Sequence, residues 1–218
     1  MNQFYNPGCA LLLYKPHYAE KILDFLNRES NDITLHTICC RYEPKLATNS
    51  NIINTCAGCD RRFSTLYEGI TTESLWEIIA KSDTFPFPNY NGLKMTVHDA
   101  CPVRKKEQVH NAIRTLLEKM NIEVVEAPNN RESSICCGDS FYQKIPLEDV
   151  HKMMKKRSDT MPCEDVCVYC VSCIKSMYIG GKKPRYILDL LFNQQTDAQI
   201  YDTVEWHKML QEYIETAQ

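Results

Sequence analysis

Ten of the twelve cysteines in this 218-residue chain repeat one spacing twice. The repeated pattern is a single cysteine, a vicinal pair and a CxxC motif. The first copy consists of Cys9, Cys39, Cys40, Cys56 and Cys59, and the second of Cys101, Cys136, Cys137, Cys170 and Cys173. Thiolates are strong, soft ligands for zinc and for iron–sulfur clusters. The duplicated pattern therefore predicts two thiolate-rich metal sites that arose by an internal duplication.

The number of thiols in each copy limits the kinds of metal site that the copy could form. Structural zinc takes four ligands in a closed tetrahedron, and an ordinary four-iron cubane also takes four thiolates. A fifth thiolate, with two on neighbouring residues, favours a more open iron–sulfur core. Zinc in one or both sites and inert or redox-active thiols are the alternatives. The other two cysteines, Cys163 and Cys167, are predicted to pack in a buried strand.

The composition excludes several broad classes of protein. The net charge is −3, which argues against a general nucleic-acid binder, because such proteins usually carry a basic surplus. No run approaches the roughly 18 apolar residues that a membrane-spanning helix needs. The first residues lack the basic region and cleavage site of a signal peptide. We therefore expect a cytoplasmic protein with no membrane span, in a compartment where thiols stay reduced.

Apolar patterning predicts strands that alternate with helices in both halves. In the second half the strands are predicted at 93–100, 122–127 and 165–170, and the helices at 104–120, 147–160 and 185–192. In the first half the strands are predicted at 5–14, 33–38 and 51–55, and a helix at 17–27. Such alternation produces right-handed βαβ units. The predicted fold class is α/β, with two pseudo-symmetric βαβ-type lobes, each with a small, mostly parallel sheet and flanking helices.

Changes in composition divide the chain into four segments. The stretch 81–92, KSDTFPFPNYNG, contains two prolines and ends in Asn-Gly, which interrupts regular structure and favours a turn. The predicted segments are a first cysteine-rich repeat at 1–82, a linker at 83–92, a second repeat at 93–192 and a C-terminal helical tail at 193–218. Four apolar residues of the tail are predicted to pack on the body or to dock a partner subunit: Val204, Met209, Leu210 and Ile214.

The predicted topology brings distant cysteines together. In parallel α/β sheets the loops at the carboxyl ends of the strands converge on one edge, and each cysteine motif follows a predicted strand. His98 lies three residues before Cys101 and is a candidate catalytic residue. Its near-neutral pKa would permit a hydrogen bond to sulfur or proton donation to a leaving thiolate. His36, before Cys39, is predicted to be structural.

Four short stretches resemble the CCG cysteine-rich domain, in the twin-repeat form present in the cysteine-rich subunit of heterodisulfide reductase. They are NPGC at Cys9, HDAC at Cys101, SSICCGDS around Cys136 and Cys137, and VYCVSC at Cys170 and Cys173. The later stretch GGKKPRYILDLLF resembles the closing helix of that family. The resemblance extends over nearly the whole chain, to Phe192.

The resemblance implies a cofactor, a reaction and partners. In that family each set of five cysteines holds a non-cubane 4Fe–4S cluster, so the ten repeated cysteines would bind two iron–sulfur clusters, with zinc possible in one site. Electrons would come from a partner iron–sulfur or flavin subunit, and a small disulfide or thiol would be the substrate. The resemblance implies an oxidoreductase subunit that is active only with its partners.

The first repeat departs from the family pattern in two ways. Only 15 residues separate its vicinal pair from its CxxC motif, compared with 32 in the second repeat, and Arg41 replaces the glycine that follows the pair. These differences raise the question of whether Cys39 and Cys40 build the same kind of site as Cys136 and Cys137. The short spacing also favours a non-catalytic electron-relay subunit. A zinc-stabilised scaffold or binding module is a further alternative.

Overall fold

A computed structural model describes residues 2–30, 32–199 and 202–218. The chain forms two compact units. The first contains Met1–Phe85 and His207–Gln218, and the second contains Pro86–Trp206. None of the helices in the described ranges is long and apolar enough to cross a membrane.

The first unit is a four-stranded parallel sheet with helices. Its elements are β1 (Asn2–Asn6), α1 (Cys9–Tyr14), α2 (His17–Glu29), β2 (Ile33–Leu35), β3 (Ser50–Asn54), α3 (Ala57–Leu66), β4 (Ile70–Ser74) and α4 (Leu75–Lys81). The strand order is β2-β1-β3-β4. Strands β1 and β3 pair in parallel over five residues, from Asn2–Ser50 to Asn6–Asn54.

The second unit repeats this architecture. Its elements are β5 (Leu93–His98), α5 (Glu107–Lys119), β6 (Ile122–Val124), α6 (Leu147–Ser158), β7 (Asp165–Val168), α7 (Val171–Ile179), β8 (Lys183–Tyr186) and α8 (Ile187–Leu191). The order β6-β5-β7-β8 is the same as in the first unit, and all pairs are parallel. The predicted fold class, two similar α/β lobes with small parallel sheets, is confirmed.

Each unit is stabilised internally by strands and helices that bury their apolar faces. Every residue of β3 is buried, as expected for a strand covered on both faces. Helix α2 buries a stripe of Tyr18, Ala19, Ile22, Phe25 and Leu26. Helix α5 buries the corresponding stripe in the second unit, with Val109, Ile113, Leu116 and Leu117. The spacing of three and four residues places each stripe on one side of its helix.

Two predicted elements differ from the observed ones in extent. The strand predicted at 5–14 ends at Asn6, and a helix begins at Cys9. Gly8 has a φ of +80°, which turns the chain between the two. The helix predicted at 185–192 begins only at Ile187, because Lys183–Tyr186 forms β8. Pro184 is tolerated there because β8 is the edge strand of its sheet.

The C-terminal helix α9 (Thr203–Thr216) contributes to both units. In the second unit Trp206 is buried and its Nε1–H donates a hydrogen bond to Ser172 Oγ at 3.1 Å. In the first unit Leu210 and Ile214 pack against Cys9 and Cys39. Val204 is 47% exposed, so it does not pack on the body, and its alternative role in docking a partner subunit stays a prediction. Ile200 and Tyr201, which fall in the predicted tail, lie outside the described residues.

Two candidate metal centres

The repeated cysteines of each unit lie beyond the carboxyl ends of the three strands that come first in the sequence of that unit. In the first unit Cys9 follows β1, the pair Cys39–Cys40 follows β2 and Cys56 follows β3. Strand β1 lies between β2 and β3, so the loops after these strands diverge at the point where open α/β sheets bind ligands. The second unit places its cysteines after β5, β6 and β7 in the same way. All twelve cysteines are free thiols.

The five thiols of the first unit form a continuous chain of contacts. Cys9 is hydrogen-bonded to Cys39, and Cys39 to its neighbour Cys40. Cys40 is hydrogen-bonded to Cys59, and Cys59 to Cys56. All of them are buried except Cys56, which is half-buried. The structure therefore brings together all five cysteines predicted for the first site.

The second unit has the same chain of contacts in the same order. Cys101 is hydrogen-bonded to Cys136, and Cys136 to Cys137. The Sγ atoms of Cys137 and Cys173 are 3.6 Å apart, and Cys173 also contacts Cys170. The short spacing of the first repeat therefore does not prevent it from assembling the same group of thiols. We call the two groups the first and the second centre.

The first cysteine of each vicinal pair has a lowered pKa. The backbone N–H two residues further on donates to its sulfur, from Gly138 to Cys136 at 3.4 Å and from Arg41 to Cys39. Hydrogen bonds from Cys40 and Cys9 lower the pKa of Cys39 to about 3, and those from Cys101 and Cys137 strongly lower the pKa of Cys136. A thiolate on the first cysteine of each vicinal pair is therefore favoured even without a metal.

Among the other repeated thiols whose pKa is shifted, all but one have a raised pKa. The hydrogen bond to the first cysteine of the pair raises the pKa of Cys40 and of Cys137 to about 12. Hydrogen bonds also raise the pKa values of Cys9, Cys59 and Cys173. The exception is Cys56, whose pKa is lowered to about 7 by a hydrogen bond from Cys59. Because metal ligands must be deprotonated, a bound cation would have to displace several protons from each centre.

The glycine after the second vicinal pair is required by helix packing. Gly138 has a φ of +102°, and a Cβ there would lie 3.2 Å from three atoms of α6, namely Met153 Cβ, Met154 N and Val150 O. Gly138 therefore combines positive φ with a close contact against α6. The first unit has no helix between β2 and β3, where all residues from 36 to 49 are described. This absence explains both the 15-residue spacing and the tolerance of Arg41.

In the first unit a different glycine makes the close approach to the thiols. A Cβ added at Gly8 would lie 2.9 Å from Cys56 Cβ and 3.4 Å from Cys59 Sγ. The second unit has Ala100 at the corresponding position before its single cysteine. The backbone before Cys9 therefore packs directly on the CxxC motif, a requirement that the sequence pattern did not reveal.

His98 lies beside the second centre. One of its ring nitrogens and the Sγ atoms of Cys137 and Cys173 all lie within 4.8 Å of one another. Arg157 Nε–H donates to His98 Nδ1 at 3.2 Å, so Nδ1 is an acceptor and the proton of the neutral ring is on Nε2. Nε2 is buried without a hydrogen-bond partner. This geometry suits a hydrogen bond from Nε2–H to a sulfur of a bound group.

The pKa of His98 separates the two roles expected for it. Burial, followed by the charge of Arg157, lowers this pKa to about 3. The ring is therefore neutral near pH 7 and is not an imidazolium acid. A hydrogen bond to sulfur is the role that the geometry allows, and its catalytic assignment stays a prediction.

The first unit has an asparagine at the position of His98. Asn6 Nδ2–H donates to His36 Nδ1 at 3.1 Å and to the His36 carbonyl at 3.0 Å. The other ring nitrogen of His36 donates to the Pro44 carbonyl at 3.0 Å. These bonds fix the loop that leads to Cys39, so the contacts of His36 are those of a structural residue.

Buried ion pairs position the loops of the second centre. Asp99 is held by Arg114 through two bonds of 2.5 and 2.8 Å, and it accepts from the Arg131 N–H at 2.6 Å. Lys175 Nζ lies 2.8 Å from Asp139 Oδ1, and both side chains are buried. This second pair joins the CCG loop to α7 and thereby keeps Cys137 next to Cys173.

The remaining two cysteines stand apart from both centres. Cys167 is fully buried in β7, where burial raises its pKa to about 12, as expected for a packing residue. Cys163 is half-buried and precedes β7, so its prediction as a strand residue is wrong. Its N–H donates to Thr96 Oγ1 at 3.0 Å.

The donor sets of both centres fit a metal ion or an iron–sulfur cluster. Each centre offers five soft sulfur atoms that contact one another in series, whereas a closed tetrahedral site would leave one thiol unused. The orphaned Nε2–H of His98 provides a donor for a further sulfur at the second centre. The clustered cysteines thus support binding of a metal or cluster, without identifying its type or number.

Comparison with known proteins gives a family match for the second unit. A family model described as the CCG cysteine-rich domain matches residues 95–177. This range extends from β5 to α7 and includes all five cysteines of the second centre. No curated protein matches the chain. The second unit is therefore similar to the CCG cysteine-rich domain over residues 95–177, the family that the sequence predicts.

Proposed function

We propose that this chain is an iron–sulfur redox subunit that takes electrons from a partner protein and reduces a disulfide or a similar acceptor. The observation that carries this proposal is the same five-thiol chain in both units, at the carboxyl ends of matching strands. Each centre would hold one non-cubane 4Fe–4S cluster through its five cysteines. A bound cluster would supply one-electron chemistry at each centre.

The reaction follows from the charge balance of disulfide reduction. The S–S bond breaks, each sulfur gains one electron, and two protons are taken up to give two thiols. The two electrons come from the partner, for which an iron–sulfur or flavin subunit in the cytoplasm is the proposed donor. The chain's own groups would hold and orient the cluster and the acceptor. Cys136 and Cys39 provide thiolates, and His98 offers its N–H to a sulfur.

A relay role is the second candidate, and the burial of the first centre favours it. Four of its five thiols are buried, and helix α9 packs on two of them, Cys9 and Cys39. In the second centre Cys101, Cys136 and Cys170 are only half-buried. A covered centre suits electron storage or relay, while a more open one suits contact with an acceptor.

Metal and acceptor assays on one anaerobic preparation distinguish these functions. Iron and sulfide content is measured first, and fewer than about four irons per chain would exclude two clusters. Stoichiometric zinc without visible absorption would support a zinc-stabilised scaffold instead. The reduced protein is then mixed with small disulfides. Reoxidation seen as a change in the visible spectrum supports the reductase, and its absence with every disulfide supports the relay.

A further inference from the structure

Arg157 is a buried cation without an acidic partner. It lies in α6 with a 2% exposed side chain. All of its hydrogen-bond acceptors are neutral: His98 Nδ1, Thr160 Oγ1, the Asn129 carbonyl and Ser134 Oγ. Within the described ranges no carboxylate forms an ion pair with it. A buried charge is costly unless it is compensated.

The second centre is the source of that compensation. The acidic groups near enough to favour the charged form of Arg157 are Asp99 and the thiols Cys101, Cys137 and Cys173, which become negative when they bind a metal or cluster as thiolates. Asp99 is already held by the bidentate Arg114. In a loaded second centre the thiolate sulfurs would therefore be the negative groups that have no other cation.

The bond from Arg157 to His98 links this charge to the centre. It fixes the ring so that Nε2–H is the free donor, next to Cys137 and Cys173. Two positive features, a full charge and an oriented N–H dipole, thus face the same group of sulfurs. Both stabilise negative charge there.

The described residues give the first centre no buried counterpart, and the cation that favours its Cys39 thiolate is the exposed Arg41. Arg157 and Lys175 are the only buried lysine or arginine side chains in the described part of the chain, and both are in the second unit. Lys175 is neutralised by Asp139. The first unit lacks a helix equivalent to α6, which carries Arg157, and has Asn6 at the position of His98. Its nearby Arg62 is half-buried and donates to the Cys40 carbonyl.

We propose that Arg157 is the internal counter-cation of the second centre and makes that centre easier to reduce than the first. This inference rests on the proposed iron–sulfur function and deepens it, because it assigns an order to the two centres. An electron received from the partner would come to rest at the second centre, the one with the half-buried thiols.

The test is a redox titration followed by EPR in single-centre backgrounds. Cys39→Ala leaves only the second centre intact, and Cys136→Ala leaves only the first. The first expected result is a more positive midpoint potential in the Cys39→Ala protein. Arg157→Met in that background should then lower the equilibrium constant for one-electron reduction roughly tenfold, or about 59 mV.

Two controls distinguish the effect of the Arg157 charge from structural effects of the substitution. Arg157→Met in the Cys136→Ala background should leave the potential of the first centre unchanged. Arg157→Lys in the Cys39→Ala background keeps the charge and should recover most of the potential. Each protein is compared at equal iron content and equal thermal stability.

Three results would overturn the inference. One is an unchanged potential for Arg157→Met at full iron content. Another is an equal loss in both backgrounds. The third needs no Arg157 variant, namely a second centre that is no more positive than the first. Absence of iron from the wild-type protein would instead refute the proposed function itself, and the inference with it.

Discussion

The C-terminal helix protects the thiols of the first centre, and this protection can be measured in metal-free protein. Ile214 is 5% exposed and packs in one cluster with Cys9 and Cys39. The same segment is fixed by the backbone, because the Cys39 N–H donates to the Ala217 carbonyl at 2.8 Å. Ile214→Ala removes the apolar contact without adding charge.

The size of the effect follows from the burial of the side chain. Replacing a buried isoleucine by alanine costs about 2–5 kcal/mol, and a middle value of about 3 kcal/mol raises the population of an open state roughly a hundredfold. The helix packs through few side chains, so much of this loss should appear as local opening. Alkylation of the covered thiols should accelerate by a similar factor.

The assay is pulsed alkylation by iodoacetamide of anaerobic, metal-free protein, read peptide by peptide by mass spectrometry. Cys39 is the best reporter, because the hydrogen bonds from Cys40 and Cys9 lower its pKa to about 3 and keep it a thiolate. Its rate at neutral pH therefore measures access to the sulfur. Val204→Ala is the matched control, since Val204 lies in the same helix but is 47% exposed.

Two outcomes would refute the reasoning. If Cys39 reacts at the same rate in Ile214→Ala and wild-type protein, the helix does not cover the first centre. If Cys101 accelerates as much as Cys39, the variant has lost global stability and the effect is not local. The expected pattern is a large increase at Cys39, none at Cys101 and none for Val204→Ala.

Two glycine substitutions test how the backbone shapes each centre. Gly138→Ala should lower the free energy of unfolding by about 1–3 kcal/mol in a denaturant titration, because it combines positive φ with contact against α6; an unchanged midpoint would contradict this. Gly8→Ala should selectively impair the first centre, because its Cβ would meet Cys56, and metal analysis should show roughly half the wild-type content. An equal loss from both centres would contradict the selective effect.

The fold class could be predicted because buried parallel strands leave a strong pattern. Ile52 and Ile53 in β3 and the run VCV in β7 are consecutive apolar residues, and amphipathic helices separate such runs. The edge strands escape prediction for physical reasons. β4 has the polar sequence ITTES, and β8 contains Pro184, which an edge tolerates. The run CALLLY is wrongly predicted as a strand because six apolar residues do not distinguish a strand from a buried helix.

The sequence predicted which cysteines form the candidate site. It did not predict the residues that surround them. Topology alone brings the cysteine motifs to one edge of each sheet, and the structure does bring them together. The order of thiol contacts depends on side-chain packing that no spacing encodes. Arg157 follows Lys155 and Lys156 in a polar run, and nothing in the sequence separates this one buried cation from its exposed neighbours.

The central claim is that the two centres are equivalent in construction and hold one cluster each. The most direct measurement is iron and sulfide analysis with EPR on anaerobically reconstituted wild-type, Cys39→Ala and Cys136→Ala proteins. The account predicts that each variant loses roughly half of the iron and one of two EPR signals. Full iron in Cys39→Ala, with complete loss in Cys136→Ala, would contradict it, because the first group of thiols would then hold no cluster.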